Sequence, residues 1–218
     1  MIRQSTARMA IIAALAASAT PARAEGPINV PFTEPQIGGL PQGFVFERTG
    51  NGAPADWKMV QDDTMAGGRV LAQTSSDRTD YRFPLAIYQP VSVANVEVSV
   101  RFKAVAGSID RAAGIAVRLA DRDNYYVVRA NALEDNVNLY RVIKGSRTQI
   151  DGKRHKVSSG VWHTLGLKVT GNRFAVSFDG AELYSATDQS LTQAGKVALW
   201  TKADSVAHFA ALTITPLP

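Results

Sequence analysis

Three short strands of alternating side chains follow one another between Gly114 and Gly145, in GIAVRLADRDNYYVVRANALEDNVNLYRVIKG. In the third strand, Val137 and Leu139 stand on either side of Asn138. Successive side chains of a strand point to opposite faces, so this period of two predicts a meander with one aliphatic and one polar face. The turn-forming sequences ADRDN, ALEDN and KGS lie between or after the strands, and a further short strand is predicted at 148–151. An antiparallel sheet with two chemically different faces is therefore expected here.

The chain after residue 44 repeats this pattern of short strands and tight turns. The clearest alternation is NVEVSVRFK at 95–103, where every second residue is valine or phenylalanine. A hairpin is predicted between 57–61 and 69–73, and an Asp-Gly turn indicates another between 173–179 and 182–186. There is no convincing amphipathic helix and no composition break. The sequence therefore predicts an all-β domain at residues 44–218, built as a two-sheet antiparallel β-sandwich.

The first 24 residues have the layout of a secretory signal peptide. Arg3 and Arg8 precede the apolar run MAIIAALAAS, and the sequence ARA ends the segment with the small residues that a signal peptidase requires. The apolar run is much shorter than the roughly 20 residues of a membrane-spanning helix. We therefore expect cleavage after Ala24, no membrane span in the mature form, and a periplasmic or secreted location. Residues 25–43, rich in Pro and Gly, are expected to form an extended N-terminal arm.

The composition limits the classes of function. The chain has no cysteine, so it contains no disulfide and no thiolate nucleophile. Removing residues 1–24 takes away three arginines and no acidic residue, which leaves 21 basic and 19 acidic side chains and a net charge of +2. A charge this small and evenly spread does not favour a nucleic-acid partner. The basic sequence KRHK at 153–156 is interpreted as a solvated turn.

Four features together resemble the concanavalin A-like jelly roll of lectins, glucanases and laminin-G-type domains. They are the number of strands, the hairpin DNYYVVRAN, the strand and turn VNLYRVIKGSRTQI, and the order WHTLGLKVTGNRFAVSFDGAEL followed by GKVALWTKADSVAHFAALTI. The resemblance covers roughly residues 44–216 and is closest to exported bacterial proteins similar to the 3-keto-disaccharide hydrolase domain. It implies that one sheet has a concave face that binds or cleaves sugars.

The alternation indicates which residues line this face. Arginine and asparagine offer planar hydrogen-bonding groups for sugar hydroxyls, and an aromatic ring matches the apolar face of a sugar. Two arginines and a lysine favour an acidic sugar such as a uronate. The same residue types are also typical of an ordinary water-exposed sheet. The expected ligand-binding residues are Arg118, Arg129, Asn131, Asn138, Tyr140, Trp200, Lys202 and, at the rim, Asp204.

No catalytic motif is found. Family 16 glycoside hydrolases of this superfamily carry their two carboxylates on a glutamate–x–aspartate–x–x–glutamate strand, and none of the six glutamates here begins that pattern. Where related alginate lyases have glutamine–isoleucine–histidine, this chain has Gln149, Ile150 and Asp151. The three histidines lack the spacing of a zinc site, and no G-x-S-x-G sequence is present.

Non-catalytic carbohydrate binding without a cofactor is the preferred function. The alternatives are a hydrolase of 3-keto-disaccharide type, using a carboxylate such as Glu134 or Asp204, and an envelope module that binds protein. Asp204 is better suited to capping its turn than to orienting a ligand. Calcium is common in the superfamily, and Asp121, Asp123 and Asn124 offer oxygen atoms in one loop. Turn formation explains these residues as well as a calcium site, which needs about six to eight ligands.

Overall fold

The computed structural model describes residues 26–30, 32 and 36–218, and the predicted signal segment 1–24 lies outside the described residues. Within the described part of the chain all regular structure is β-strand. In chain order the strands are β1 (Ile28–Val30), β2 (Phe44–Gly50), β3 (Trp57–Gln61), β4 (Arg69–Gln73), β5 (Arg82–Val93), β6 (Val96–Ala106), β7 (Ala112–Asp121), β8 (Asn124–Asn131), β9 (Asn136–Ile143), β10 (Ser146–Arg154), β11 (Trp162–Thr170), β12 (Arg173–Phe178), β13 (Ala181–Thr187), β14 (Gly195–Thr201) and β15 (Val206–Pro216).

These strands form two sheets in which every pairing is antiparallel. The sheet that contains the central meander, called the meander sheet below, has the order β10-β9-β8-β7-β14-β5-β2. The other, called the back sheet, has the order β13-β12-β11-β6-β15-β4-β3, with β1 also pairing with β15. The prediction of an all-β, two-sheet antiparallel sandwich of jelly-roll type is confirmed.

The hydrophobic core lies between the two sheets. Val96, Val98, Val100 and Phe102 of β6 are fully buried, as the alternation in NVEVSVRFK predicts. They belong to one cluster with the aliphatic side chains of the meander, among them Val128 of β8. Each fully buried side chain of this size stabilises the fold by about 1.5–3 kcal/mol. Inter-sheet burial is therefore the main force that holds this cysteine-free protein together.

The predicted hairpins form with the expected turn chemistry. Strands β3 and β4 occupy residues 57–61 and 69–73, as predicted. Asp179 and Gly180 join β12 to β13 with φ angles of 48° and 84°. Positive φ at both central residues is the type I′ geometry, whose twist matches that of the strands and which Asp-Gly adopts at low cost.

Two segments differ from expectation. Residues 28–30 of the predicted arm form a strand, β1, with Ile28 opposite Ile214 of β15, so this part of the arm extends the back sheet. The short strand predicted at 148–151 is the nine-residue β10. The Lys144–Gly145 turn places Ser146 opposite Ile143. The strand β10 therefore begins two residues earlier than predicted.

The strand β7 contains a bulge that alternation alone does not predict. Arg118 has φ 48°, and the register shifts between Val117 and Asp121 against β8 and between Lys196 and Ala198 against β14. A single-residue shift reverses which face the following side chains occupy. Leu119 consequently packs in the cluster on the opposite face of the sheet.

The expectation that Arg118 lies on the polar face is therefore wrong. Its guanidinium lies 5.8 Å from the ring centroid of Phe174 in the back sheet. It donates hydrogen bonds to the carbonyl oxygens of Ala94, Leu191 and Gly171 at 2.8, 3.0 and 2.5 Å. Arg118 thus ties three loops together at one end of the sandwich.

Asp188 connects the segment after β13 to the meander sheet. Its carboxylate accepts hydrogen bonds from Tyr126 Oη at 2.6 Å, Arg141 Nη1 at 2.7 Å and the Ser190 N–H at 2.8 Å. Burial opposes ionisation of Asp188, but these donors outweigh burial and lower its pKa to about 2. Burial and the nearby Asp188 carboxylate raise the pKa of Tyr126 to about 12, so this hydroxyl keeps its proton.

We predict that Asp188→Asn lowers the free energy of unfolding at pH 7 by about 1–3 kcal/mol, because it removes the charge from these hydrogen bonds. A carboxylate with a lowered pKa stabilises the fold above its ordinary value of 3.8, and that contribution is lost as the pH falls towards 2. Urea unfolding of both proteins between pH 7 and pH 2 should show the difference shrinking in that window. The exposed Glu182→Gln serves as control, and a difference that stays constant with pH would contradict the prediction.

Candidate functional site

The side chains of the meander sheet that point away from the back sheet form what is called the outer face below. Arg129 and Asn131 of β8, and Asn138 and Tyr140 of β9, lie on neighbouring strands of this face. Trp200 of β14 belongs to the same apolar cluster as Tyr140. Lys202, which follows β14, joins the group through its ion pair with Asp110. The structure therefore brings together six of the eight residues predicted from the sequence.

The outer face is buried, which does not fit the alternative of an ordinary water-exposed sheet. Trp200 and Asn131 are 0% exposed, Arg129 3% and Tyr140 6%. The apolar part of the face is a second hydrophobic cluster. Its members are Phe83, Leu85, Ile87, Ala112, Ala116, Leu119, Tyr125, Val127, Tyr140, Val142, Ala198 and Trp200. The described strands form two layers and no third, so no further sheet covers this face, and its own side chains and the neighbouring loops bury it.

Asp110 anchors the polar end of this face. Its Oδ1 accepts a hydrogen bond from Asn131 Nδ2 at 2.5 Å, and its Oδ2 accepts one from Lys202 Nζ at 2.6 Å. Lys202 also pairs with Asp80 at 2.6 Å. Burial raises the pKa of Asp110 although Lys202 opposes the change. Burial would lower the pKa of Lys202, but the hydrogen bonds to Asp110 and Asp80 raise it, so the ammonium stays charged.

Arg129 forms the second part of the polar network. Its guanidinium donates to Glu134 Oε2 at 2.8 Å, Asn136 Oδ1 at 2.6 Å and Tyr140 Oη at 2.9 Å. Burial disfavours the charge, but Tyr140 and Glu134 raise the pKa of Arg129. Burial likewise opposes ionisation of Glu134. The hydrogen bonds from Asn136 and Arg129 outweigh burial and lower the pKa of the Glu134 carboxyl. The Glu134 side chain is 46% exposed, so this carboxylate stands at the rim.

Arg147 of β10 also belongs to the outer face, and the sequence analysis missed it. Its guanidinium carbon lies 4.5 Å from the ring centroid of Tyr140, 4.8 Å from that of Phe83 and 5.9 Å from that of Trp200. The predicted strand began one residue later, which left Arg147 in the turn. Its register partner Val142 faces the same way as Tyr140, so the hairpin register is the signal that would have identified it.

The aromatic residues of the face do not offer open rings. Trp200 packs against Phe83 with ring centroids 5.3 Å apart and donates its indole N–H to Tyr125 Oη at 3.3 Å. Arg147 stands over both Trp200 and Tyr140. The expectation that either ring stacks on a sugar therefore does not fit this arrangement, in which polar and charged groups line the face.

Asp204 supports the site from outside it. Its carboxylate accepts the backbone N–H groups of Ser108, Ile109 and Asp110 at 2.8, 3.0 and 3.0 Å. With its side chain occupied by these donors, Asp204 caps the turn before β7 and thereby positions Asp110. Burial opposes ionisation of Asp204, but the backbone hydrogen bonds lower its pKa. Its role as the cap of a turn accounts for every contact of its carboxylate.

The remaining polar candidates have local partners. Asp121 accepts hydrogen bonds from the N–H of Asp123 and the side-chain amide of Asn124, which is a turn-forming arrangement. The described residues contain no group of three or more His, Asp or Glu side chains placed to hold a metal ion. His163 pairs with Asp179, and His208 with Asp62 in the back sheet.

The two antiparallel sheets and their strand order define the class of protein as a concanavalin A-like jelly roll, the architecture shared by lectins and glucanases. A comparison with protein families is more specific: residues 41–217 match the model of the galactocerebrosidase C-terminal lectin domain. This chain belongs to that family. A search of curated proteins gave no match.

Solved structures support the same fold at low sequence identity. The carbohydrate-binding module CBM66 from Bacillus subtilis is 18% identical with a TM-score of 0.59, and the alignment covers 78% of this chain and 94% of that one. The β-glucanase of Bacillus licheniformis is 12% identical with a TM-score of 0.58, covering 90% and 100%. A Bacillus subtilis protein of unknown function with a galectin-like fold is 9% identical with a TM-score of 0.55, covering 78% and 88%.

We predict that Arg118→Met destabilises the protein by about 2–3 kcal/mol, because the carbonyl groups of three loops lose their shared charged donor. The outer face should be unaffected, since Arg118 lies on the other side of the sheet. Chemical denaturation measures the first effect, and the near-UV circular dichroism of the folded variant checks the second. Arg122→Met, at an exposed position, is the control. A variant with wild-type stability would show that the three hydrogen bonds contribute nothing.

Proposed function

We propose that this protein is a non-catalytic glycan-binding module that uses the outer face of the meander sheet. One observation carries the proposal. Asp110 joins Asn131 and Lys202 in one hydrogen-bonded group, and Arg129 joins Glu134 in another. The two groups come from four segments of the chain and share a face that is otherwise apolar. Burying charged groups costs several kcal/mol per ion unless each one is paired. Groups of this kind on one face are better explained by recognition than by stability.

The chemistry of the network suits sugar hydroxyls. A hydroxyl donates one hydrogen bond and accepts up to two, so its binding site needs both donors and acceptors. Carboxylate acceptors stand at the rim, with the Glu134 side chain 46% and the Asp80 side chain 72% exposed. Guanidinium and amide donors lie beside them on β8 and β9. Arg129, Asn131, Asn138, Tyr140 and Lys202 are the proposed binding residues, with Arg147 added.

The comparisons support glycan binding. The family model is that of a lectin domain, and it covers nearly all of the folded chain. One structural neighbour is described as a carbohydrate-binding module. Another is a glucanase, so the fold by itself is compatible with hydrolysis as well.

One observation favours the hydrolase alternative. Asp110 and Glu134 lie beside the same arginine, and the environment raises the pKa of the first and lowers that of the second, which is the pattern of an acid and a base. However, the Asp110 side chain is only 1% exposed and both its oxygens are occupied by Asn131 and Lys202. A general acid must reach the leaving oxygen of the substrate. Binding without turnover is therefore the better supported function.

The proposal includes export of the protein from the cytoplasm. A glycan-binding module acts where glycans are found, and the layout of residues 1–24 is that of a secretory signal. No helix within the described residues is long and apolar enough to cross a membrane.

We predict that expression of the full chain in a bacterium with its own export system yields a mature protein beginning at Glu25 in the periplasm or medium. Removal of the positive charges of Arg3 and Arg8 should slow export, because the positive end of the signal is lost. N-terminal sequencing and intact mass spectrometry of each fraction measure both effects. A full-length product confined to the cytoplasm would contradict the prediction.

We predict that Glu134→Gln weakens glycan binding by about tenfold, because the rim loses a charged acceptor for sugar hydroxyls and Arg129 loses its partner. A glycan array selects the ligand, and calorimetry measures the dissociation constant. Glu182→Gln in the back sheet is the matched control and should bind as the wild type does.

Chromatography of the bound glycan distinguishes binding from hydrolysis. The proposal expects the glycan to be recovered intact after prolonged incubation with the wild-type protein. Consumption of the glycan by the wild type but not by Glu134→Gln would overturn the proposal in favour of the hydrolase. Absence of binding across the array would remove the proposed function altogether.

A further inference from the structure

Three hydrogen-bond donors around Tyr140 have no acceptor among the described residues. Arg129 Nε and Arg147 Nη1 are both buried from solvent without a hydrogen-bond partner. The Tyr140 hydroxyl accepts hydrogen bonds from Arg129 Nη2 at 2.9 Å and Asn138 Nδ2 at 3.1 Å. Because its oxygen is used as an acceptor twice, its own proton remains available. Each of the three donors therefore lacks an acceptor, and all three lie around the ring of Tyr140.

The carboxylates of the face are already paired, and none of them pairs with Arg147. Glu134 binds Arg129 and Asn136. Asp110 and Asp80 both bind Lys202. Within the described residues the Arg147 guanidinium forms no ion pair, and it lies over the rings of Phe83, Tyr140 and Trp200. Among the described residues of this face, Arg129 and Lys202 have carboxylate partners, and Arg147 has none.

An unpaired guanidinium held by aromatic rings is well prepared to bind an anion. The rings of Phe83, Tyr140 and Trp200 pack around it, so less side-chain freedom is lost when a ligand binds. A guanidinium fork matches the two oxygens of a carboxylate, and such charge-assisted pairs are roughly twice as strong as neutral hydrogen bonds. A sugar hydroxyl has one oxygen and no charge, and it satisfies fewer of these donors.

We propose that the ligand of this face is an acidic sugar whose carboxylate binds Arg147 beside Tyr140. The inference rests on the proposed glycan-binding function and names its substrate class. Arg129 Nε and the Tyr140 hydroxyl supply the neighbouring donors. Arg147 is the residue that distinguishes an acidic sugar from its neutral counterpart.

The distribution of charge also gives the acidic sugar one orientation. At the other end of the face, Lys202 is a single cation between two carboxylates, Asp80 and Asp110, and this end is therefore net negative. Carboxylates accept hydrogen bonds from sugar hydroxyls but repel a second carboxylate. The acidic group is held at Arg147 while the hydroxyls face Glu134 and Asp80.

The test compares acidic glycans with neutral counterparts of the same backbone, using the full protein. The pairs are oligogalacturonate and its methyl ester, sialyl-lactose and lactose, and mannuronate oligomers and the matching mannose oligomers. Calorimetry gives the dissociation constant of each. We expect at least one acidic glycan to bind about 10- to 100-fold more tightly than its neutral counterpart, the range that one charge-assisted contact supplies.

Variants connect the preference to Arg147. Arg147→Gln should abolish the preference by weakening the acidic glycan alone, and Arg147→Lys, which keeps the charge but not the fork, should retain part of it. Arg173→Gln removes the same charge from the back sheet and should bind both members as the wild type does. In the wild type, the side-chain N–H resonances of Arg147 should shift on titration with the acidic glycan and not with its neutral partner, a readout that requires no variant.

The outcomes separate this inference from the proposed function. Equal or tighter binding of the neutral members overturns the acidic-sugar assignment and leaves glycan binding intact. An acidic preference that survives in a folded Arg147→Gln variant also overturns the assignment to Arg147. If no member of any pair binds, both the inference and the proposed function fail.

Discussion

Both faces of the meander sheet exclude water, and this constraint governs what its polar side chains can do. The inner face is buried by the back sheet, as in any two-layer sandwich. The large apolar side chains of the outer face pack against one another in a second cluster, so this face is buried as well. A buried polar group without a partner costs about 1–3 kcal/mol, so every arginine, asparagine and aspartate on this sheet needs a hydrogen-bonding partner. The network centred on Asp110 and Arg129 is the result.

The network depends on loops as much as on strands. Asp110 reaches the face because Asp204 holds the turn before β7 through three backbone N–H groups. Glu134 approaches from the turn between β8 and β9, where Asp135 has φ 49°. The strands therefore fix the donors, and the turns bring the carboxylates to them. Where the turns supply no carboxylate, as at Arg147, a donor is left for a ligand.

Much of the architecture could be read from alternation. The residues of β6 and the hairpin β3–β4 lie as the sequence predicts, because apolar residues at every second position can all be buried on one face. Alternation failed at Arg118, where a bulge reversed the faces. The side chain of Arg118 is held by three carbonyl groups that are distant in sequence, so no local pattern predicts its position.

The sequence by itself determined the all-β class, the two-sheet antiparallel arrangement and most of the polar residues that share the outer face. These follow from local periodicity and turn chemistry, which involve residues a few positions apart. Only the tertiary structure decided that this face is buried, that Asp110 and Arg147 belong to it, and that Asp204 supports it from outside. These features depend on contacts between residues far apart in the chain, such as Asp204 with Ser108, 96 positions away, and no local pattern predicts them.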